Sequence, residues 1–292
     1  MKNKFLYIVT ILIWGSTWIA IKYQLGSVDP LVSIIYRFSL AACILMIFCL
    51  IKGLNMRFSF KEHLFLILFG FLLFSINYWM VYLAEVYITS GVVAVTFSSI
   101  VFMNIFNGAI FLKTSIRPQM VVGAIIGIVG ISFIFLPEIQ TFDFSDKNVQ
   151  GLSLCLVSVL MASFGNIVSA RNSKQKIPII QANAFGMTYG VIILFLLALF
   201  FGKEFTISLS GSYMFSLFYL AVFGSILGFG SYLTLISEIG ADKASYAIMV
   251  VPVVALMISS FLEGYIWNIQ SVFGLSLVLI GNFMALKKKV SG

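Results

Sequence analysis

Charged side chains are scarce in this chain: they make up 10% of its 292 residues, against about 25% in an ordinary soluble domain. Hydrophobic residues make up 61%, and the mean hydropathy is +1.09. A water-soluble globule is excluded, because it could not cover that much apolar surface. The three cysteines, Cys43, Cys49 and Cys155, all fall inside apolar runs. An odd number at membrane depth argues against a disulfide framework, and they are expected to pack as small apolar residues. The single histidine, His63, opens an apolar run, and no metal-ligand spacing occurs, so neither a metal nor a cofactor is expected. There is no Walker-type phosphate loop, so the chain does not hydrolyse ATP itself. No acid stands mid-run either: Glu85, Glu238 and Glu263 all lie at run ends. Proton pumps commonly use buried acids. Coupling is therefore left undetermined, with exchange and passive facilitated flow both open.

What the chain has in abundance is long apolar runs. A hydrocarbon core about 30 Å thick needs roughly 20 such residues per crossing helix. Runs occur at about 5–21, 31–51, 64–83, 91–112, 118–136, 151–170, 179–201, 213–234, 244–262 and 271–286. The expected fold is all-α: a polytopic membrane protein with ten transmembrane helices and no loop long enough for a separate domain. Lys2 and Lys4 ahead of the first run resemble a signal peptide. That run continues to about Ile21 without a small-residue cleavage site, so it is kept as the first span.

The formal charge of +8 would suggest nucleic acid as a partner in a soluble protein. Its distribution points elsewhere. Lys52, Arg57 and Lys61, Lys113 and Arg117, and Arg171, Lys174 and Lys176 fall in every second loop, with Lys2, Lys4, Lys243 and Lys287–Lys289 on the same side. The opposite loops hold only Lys22, Lys147 and Lys203 among acids. By the positive-inside rule both termini are cytoplasmic, and no nucleic acid is expected. Attraction to anionic lipid headgroups is a secondary effect of the same charges.

Features recur across the chain at a period of about 150 residues, the mark of an internal repeat. Gly123 and Gly130 are spaced like Gly274 and Gly281, Pro30 matches Pro178, Tyr82-Leu83 matches Tyr232-Leu233, and Gly15 matches Gly165. The expected units are residues 1–137 and 151–292, five helices each, joined by an external linker over 138–150. A unit with an odd number of spans begins its second copy on the opposite side of the membrane. The halves are thus expected to be inverted repeats, with a substrate site near the midplane between them.

Trp14-Gly15-Ser16-Thr17 in the first span, Arg37-Phe38 followed by Ala41-Ala42 in the second, and Gly91 opening the fourth resemble the drug/metabolite transporter superfamily, EamA type. Pro252 in the ninth span, Leu262-Glu263 near its end and the Gly-rich last span resemble it too. The resemblance covers essentially the whole chain. It departs at Val101, where a proline is expected, at Lys113-Thr114, where the family often has Gly-Glu, and in the second half, which has Asn166 and lacks the Trp-Gly of the first span. The family implies movement of small organic solutes, often export of amino acids or metabolites. It also implies a central cavity lined mainly by spans 1, 3, 4, 6, 8 and 9, in a multi-pass protein of the prokaryotic inner membrane.

Polar and aromatic residues inside the spans are the candidate substrate-binding set. Arg37 is the only charge well inside a span, about 10 Å from the near end at 1.5 Å per residue. It either faces the cavity and attracts a carboxylate or phosphate, or pairs structurally with Glu85 or Asp29. Trp14 and Trp18 share a helix face and either stack on substrate or pack against small residues. Asn77, Tyr78 and Tyr82 cluster in span 3, and Ser98 and Ser99 sit mid-span 4 above Asn104 and Asn107. Asn166, Tyr232, Tyr246 and Met249 complete the set. Taken singly, each of these polar residues suits interhelical hydrogen bonding; as a set they suggest a polar-aromatic cavity. Gly123-x-x-x-Gly127 and Gly224-x-x-x-Gly228 permit close helix approach, and Pro252 suits either a hinge or a static kink.

The leading expectation is a secondary transporter, an exporter of small organic metabolites such as amino acids, working by alternating access and not an enzyme. The alternatives are a non-transporting assembly or sensor subunit and, behind that, an enzyme acting on lipid-linked substrates. The expected partners are a small-molecule substrate and the bilayer. One chain carries both halves and is sufficient; dimers are compatible with it.

Overall fold

The computed structural model describes residues 2–113, 115–134, 146–239 and 241–286, and every regular element among them is helical. In chain order these are α1 (Lys2–Lys22), α2 (Pro30–Ile51), α3 (Phe60–Tyr87), α4 (Ser90–Leu112), α5 (Pro118–Ile134), α6 (Lys147–Lys174), α7 (Ile179–Phe200), α8 (residues 211–239), α9 (Ala241–Leu262) and α10 (Ile269–Leu286). Seven of them, α1 to α4 and α6 to α8, are long and apolar enough to cross a bilayer. Three shorter apolar helices occur at Pro118–Ile134, Val250–Leu262 and Ile269–Ala285.

Helix boundaries follow local chemistry. Asp29 accepts a hydrogen bond from Leu31 N–H at 2.8 Å, and Pro30 occupies the first turn, where a missing N–H costs nothing. Ser59 and Glu62 form a reciprocal capping box that starts α3 at Phe60, ahead of the expected 64. Likewise α6 runs over Lys147–Lys174 where the apolar run covers 151–170, because Asp146 caps it and its polar end turns stay helical. Residues 138–145 of the expected linker lie outside the described residues.

Three helices expected to be regular are interrupted. Wide π turns occupy Gly70–Ile76 in α3 and Leu220–Gly228 in α8. In α4, the segments Ser90–Phe97 and Ile100–Leu112 meet at a break over Ser98 and Ser99. The break lies just ahead of Val101, so no proline is needed to make it.

In the bundle α5 packs on α10, α2 on α7, and α1 on both α8 and α9, while α6 packs on both α3 and α4. The α5–α10 contact is a backbone-to-backbone one. A Cβ on Gly123 would sit 2.4 Å from the Gly281 carbonyl oxygen, and one on Gly130 2.6 Å from that of Gly274. Only glycine lets these two backbones touch.

Candidate substrate cavity between the helices

A cavity of about 90 Å³, room for several water molecules, lies inside the bundle. Its walls come from α1, α2, α3, α4, α6, α8 and α9. That matches the expected spans with α2 added. Of the twelve candidate residues, Trp14, Trp18, Arg37, Asn77, Tyr78, Ser98, Asn166 and Tyr232 line it.

Arg37 is the centre of its polarity. The side chain is 1% exposed, with Nε donating to Ser225 Oγ at 3.1 Å and Nη1 to Tyr82 Oη at 3.4 Å. Its guanidinium carbon stands 4.6 Å from the centre of the Tyr78 ring and 5.1 Å from that of Phe38, so aromatic faces take part of the charge. Neither acid proposed as its structural partner reaches it. Asp29 pairs with Lys203 at 2.8 Å, and both Glu85 carboxylate oxygens lack a hydrogen-bond partner. Among the described residues no carboxylate forms a salt bridge with Arg37.

The π turn of α8 creates the Arg37 anchor: Ser225 donates to the Leu220 carbonyl at 3.0 Å inside that turn and still accepts from the guanidinium. The π turn of α3 ends where Asn77 begins, and the Asn77 amide nitrogen donates back to Leu73 O at 3.3 Å. Its Oδ1 and the Trp18 indole N–H are buried without a partner. Trp14 packs on Phe229 and Tyr232 at 5.3 and 5.0 Å, and Trp18 on Phe97 at 5.3 Å. Asn166 donates to Asn104 at 3.4 Å and Asn107 to Ser163 at 2.8 Å, both joining α4 to α6.

Two candidates stand behind the wall. Tyr82 is 0% exposed and donates to Gln24 Oε1 at 2.6 Å, so it positions Arg37. Ser99 is buried in the α4 break with its hydroxyl unpartnered. Tyr246 and Met249 lie on α9, but their side chains are outside the described residues. The structure adds Thr17, Phe97 and Phe229 to the wall. The two phenylalanines carry no polar signal that could have set them apart among 30 in the chain.

The profile of the EamA-like transporter family matches residues 2–136 and again residues 149–287. The chain belongs to that family. It is a membrane transporter of the drug/metabolite transporter superfamily, a multi-pass protein of the plasma membrane with a small-molecule substrate. The similarity to known proteins runs over nearly the whole chain. It is 28% identical over 292 residues to an uncharacterized transporter of Archaeoglobus fulgidus, covering 99% of this chain and 100% of the relative. It is 28% identical over 289 residues to the uncharacterized inner membrane transporter YedA of Escherichia coli, covering 96% and 91%. Protein PagO of Salmonella typhimurium is 23% identical over 283 residues, covering 96% and 91%. One solved crystal structure superposes with a TM-score of 0.70 over 97% of this chain and 96% of its own, at 16% identity, a likeness of fold alone.

At one end of this EamA-like bundle the helices are tied by Glu263. Its carboxylate accepts from Ser90 N–H at 3.1 Å, from the Ser90 hydroxyl, and from Ser259 at 2.7 Å, with Lys22 Nζ 3.8 Å away. These bonds join α9 to the first turn of α4 and the last of α1.

Proposed function

We propose that this transporter is a secondary carrier exporting small amphipathic metabolites that bear a carboxylate, amino acids among them, by alternating access. One observation carries it: Arg37 is a buried guanidinium in an aromatic-walled cavity, anchored by neutral hydroxyls and in direct contact with no carboxylate among the described residues. A buried charge needs a partner, and a planar guanidinium suits a carboxylate. An amino acid would bring its carboxylate to Arg37 and its ammonium group to the Asn77 oxygen and the aromatic faces.

The carrier consists of inverted five-helix halves, 1–137 and 151–292, with all ten helices crossing the bilayer and both termini cytoplasmic. The α5–α10 seam supports this arrangement. Under the repeat Gly123 corresponds to Gly274 and Gly130 to Gly281, yet Gly123 touches Gly281 and Gly130 touches Gly274. That contact is self-complementary, as a two-fold axis through it requires. Because the two helices run antiparallel there, the axis lies across them, in the membrane plane. The other contacts exchange in the same way: α1 with α8 and α9 answers α6 with α3 and α4. The π turns also fall at corresponding places in α3 and α8.

On this topology the Glu263–Ser90 tie is the external closure of the seam, and Asn107–Ser163 holds it nearer the cytoplasm. Alternating access requires each to part in turn. A polar set gathered around an internal cavity speaks against the sensor alternative. The test is a flux screen in proteoliposomes, over amino acids and aromatic carboxylates with imposed pH gradients. Saturable flux of at least one carboxylate supports the proposal; flat flux across the panel from folded protein contradicts it.

A further inference from the structure

The end of α3 holds a charged group that the carrier described above does not use. Glu85 is 0% exposed, and neither carboxylate oxygen has a hydrogen-bond partner. By position it is a span-end acid, but α1, α2, α4 and α6 pack against this end of α3 and cover it. The titratable and charged groups acting on it are Lys22 of α1, Arg37 of α2, Tyr82 of its own helix, Cys155 of α6 and Glu263 of α9. At the start of α4, the Ser90 hydroxyl is spent on Glu263, and the Thr89 hydroxyl ahead of it is buried without a partner.

Two acids at the same end are thus treated oppositely. Glu263 accepts from Ser90 and Ser259, while Lys22 gives its hydrogen bond to the backbone carbonyl of Glu85 and leaves that residue's carboxylate bare. An ionised carboxylate without donors in an apolar bundle is costly, and a bound proton removes that cost. A short polar chain connects this acid to the cavity. Arg37 Nη1 reaches Tyr82 Oη at 3.4 Å, Tyr82 donates to Gln24 at 2.6 Å, and Tyr82 and Glu85 are neighbours one turn apart on α3. Gln24 Nε2 is buried without a partner beside them.

We propose that Glu85 is the proton-binding site of a proton-linked carrier, and that a proton on Glu85 and a carboxylate on Arg37 favour one another. The charges dictate the sign. The Arg37 cation stabilises ionised Glu85; an anion bound to Arg37 cancels that support, so the proton binds more tightly, and by linkage the reverse holds. One proton moves with each substrate carboxylate. In export, which the substrate's own outward gradient drives, it leaves one Glu85 oxygen for water at the external Lys22 end, where that side chain is 29% exposed, with no other bond made or broken.

Because this rests on the carboxylate assignment of Arg37, the experiment has one arm that does not need it. Infrared pH titration of the full-length protein in nanodiscs reads the buried protonated-carboxyl stretch directly. The band is expected to vanish on raising the pH in wild type, to be absent in Glu85→Gln, and to persist in Glu263→Gln. Should Glu85→Gln not fold, Glu85→Asp is expected to move the titration midpoint. The second arm follows benzoate binding by the fluorescence of Trp14 and Trp18. Wild-type affinity should weaken about tenfold per pH unit once Glu85 has ionised, while Glu85→Gln keeps the low-pH affinity throughout. A band unchanged in Glu85→Gln, an unmoved midpoint in Glu85→Asp, or the same pH dependence of benzoate in wild type and Glu85→Gln overturns the proposal. If benzoate binds neither protein, the Arg37 assignment and the coupling fail together, whereas a surviving infrared result upholds the proton site.

Discussion

Arg37 on α2 donates to Ser225 in the π turn of α8 at 3.1 Å, so the cavity's buried cation is held by the opposite half of the chain. Any motion that parts α2 from α8 must move this guanidinium or break that bond. Substrate charge and seam geometry therefore meet in one side chain.

Arg37→Lys keeps the charge but loses the planar fork and the aromatic stacking. Carboxylate affinity, read from the fluorescence of Trp14 and Trp18, should fall about tenfold, which is about 1.4 kcal/mol. Arg37→Gln should abolish it while leaving expression and helicity intact. Wild-type affinity in both variants would remove Arg37 from the binding site.

The glycine seam makes a second prediction, on folding. Gly123→Ala puts a Cβ against a backbone carbonyl that cannot rotate away, so the helices must separate, at about 1–3 kcal/mol. Its melting temperature in detergent should drop, while Gly211→Ala, with nothing within 4 Å, should melt like wild type.

Much of this was legible in the sequence, for definite reasons. Pro30 and Ile51 bound α2 within a residue of the apolar run, because a proline and an N-capping Asp29 punctuate it. Arg37, Asn77 and Asn166 stood out because polar groups in an apolar run are conspicuous. The π turns were not legible, since Gly70–Ile76 and Leu220–Gly228 read as ordinary helix. Nor was the division between cavity wall and support. Tyr78 faces the cavity and Tyr82 does not, although they are one turn apart, because Tyr82 lies nearer the covered end of α3 with its hydroxyl turned to Gln24. Glu85 looked like a surface acid because span ends are usually wet, whereas here neighbouring helices cover it.

Lys113 ends α4 with φ of +56°, a left-handed position usually given to glycine. A side chain there costs about 1–2 kcal/mol. Lys113→Gly should therefore raise thermal stability by about 1 kcal/mol; no change would mean that the cap is not strained.

Asn107 and Ser163 join α4 to α6 at 2.8 Å in a buried setting. A double-mutant cycle with alanine should give a coupling of about 0.6 kcal/mol, with about 1.7 as the upper range for such bonds in a bilayer. Zero coupling would remove this contact from the seam.

The central claim is a carboxylate carrier whose cavity opens to each side in turn. Counterflow in proteoliposomes tests it most directly: vesicles are loaded with an unlabelled carboxylate substrate from the flux screen, and uptake of its labelled form is followed. The account predicts saturable uptake that overshoots and is stimulated from the opposite side, and that is lost in Arg37→Gln. Uptake that never saturates, shows no overshoot, or survives intact in Arg37→Gln would contradict it.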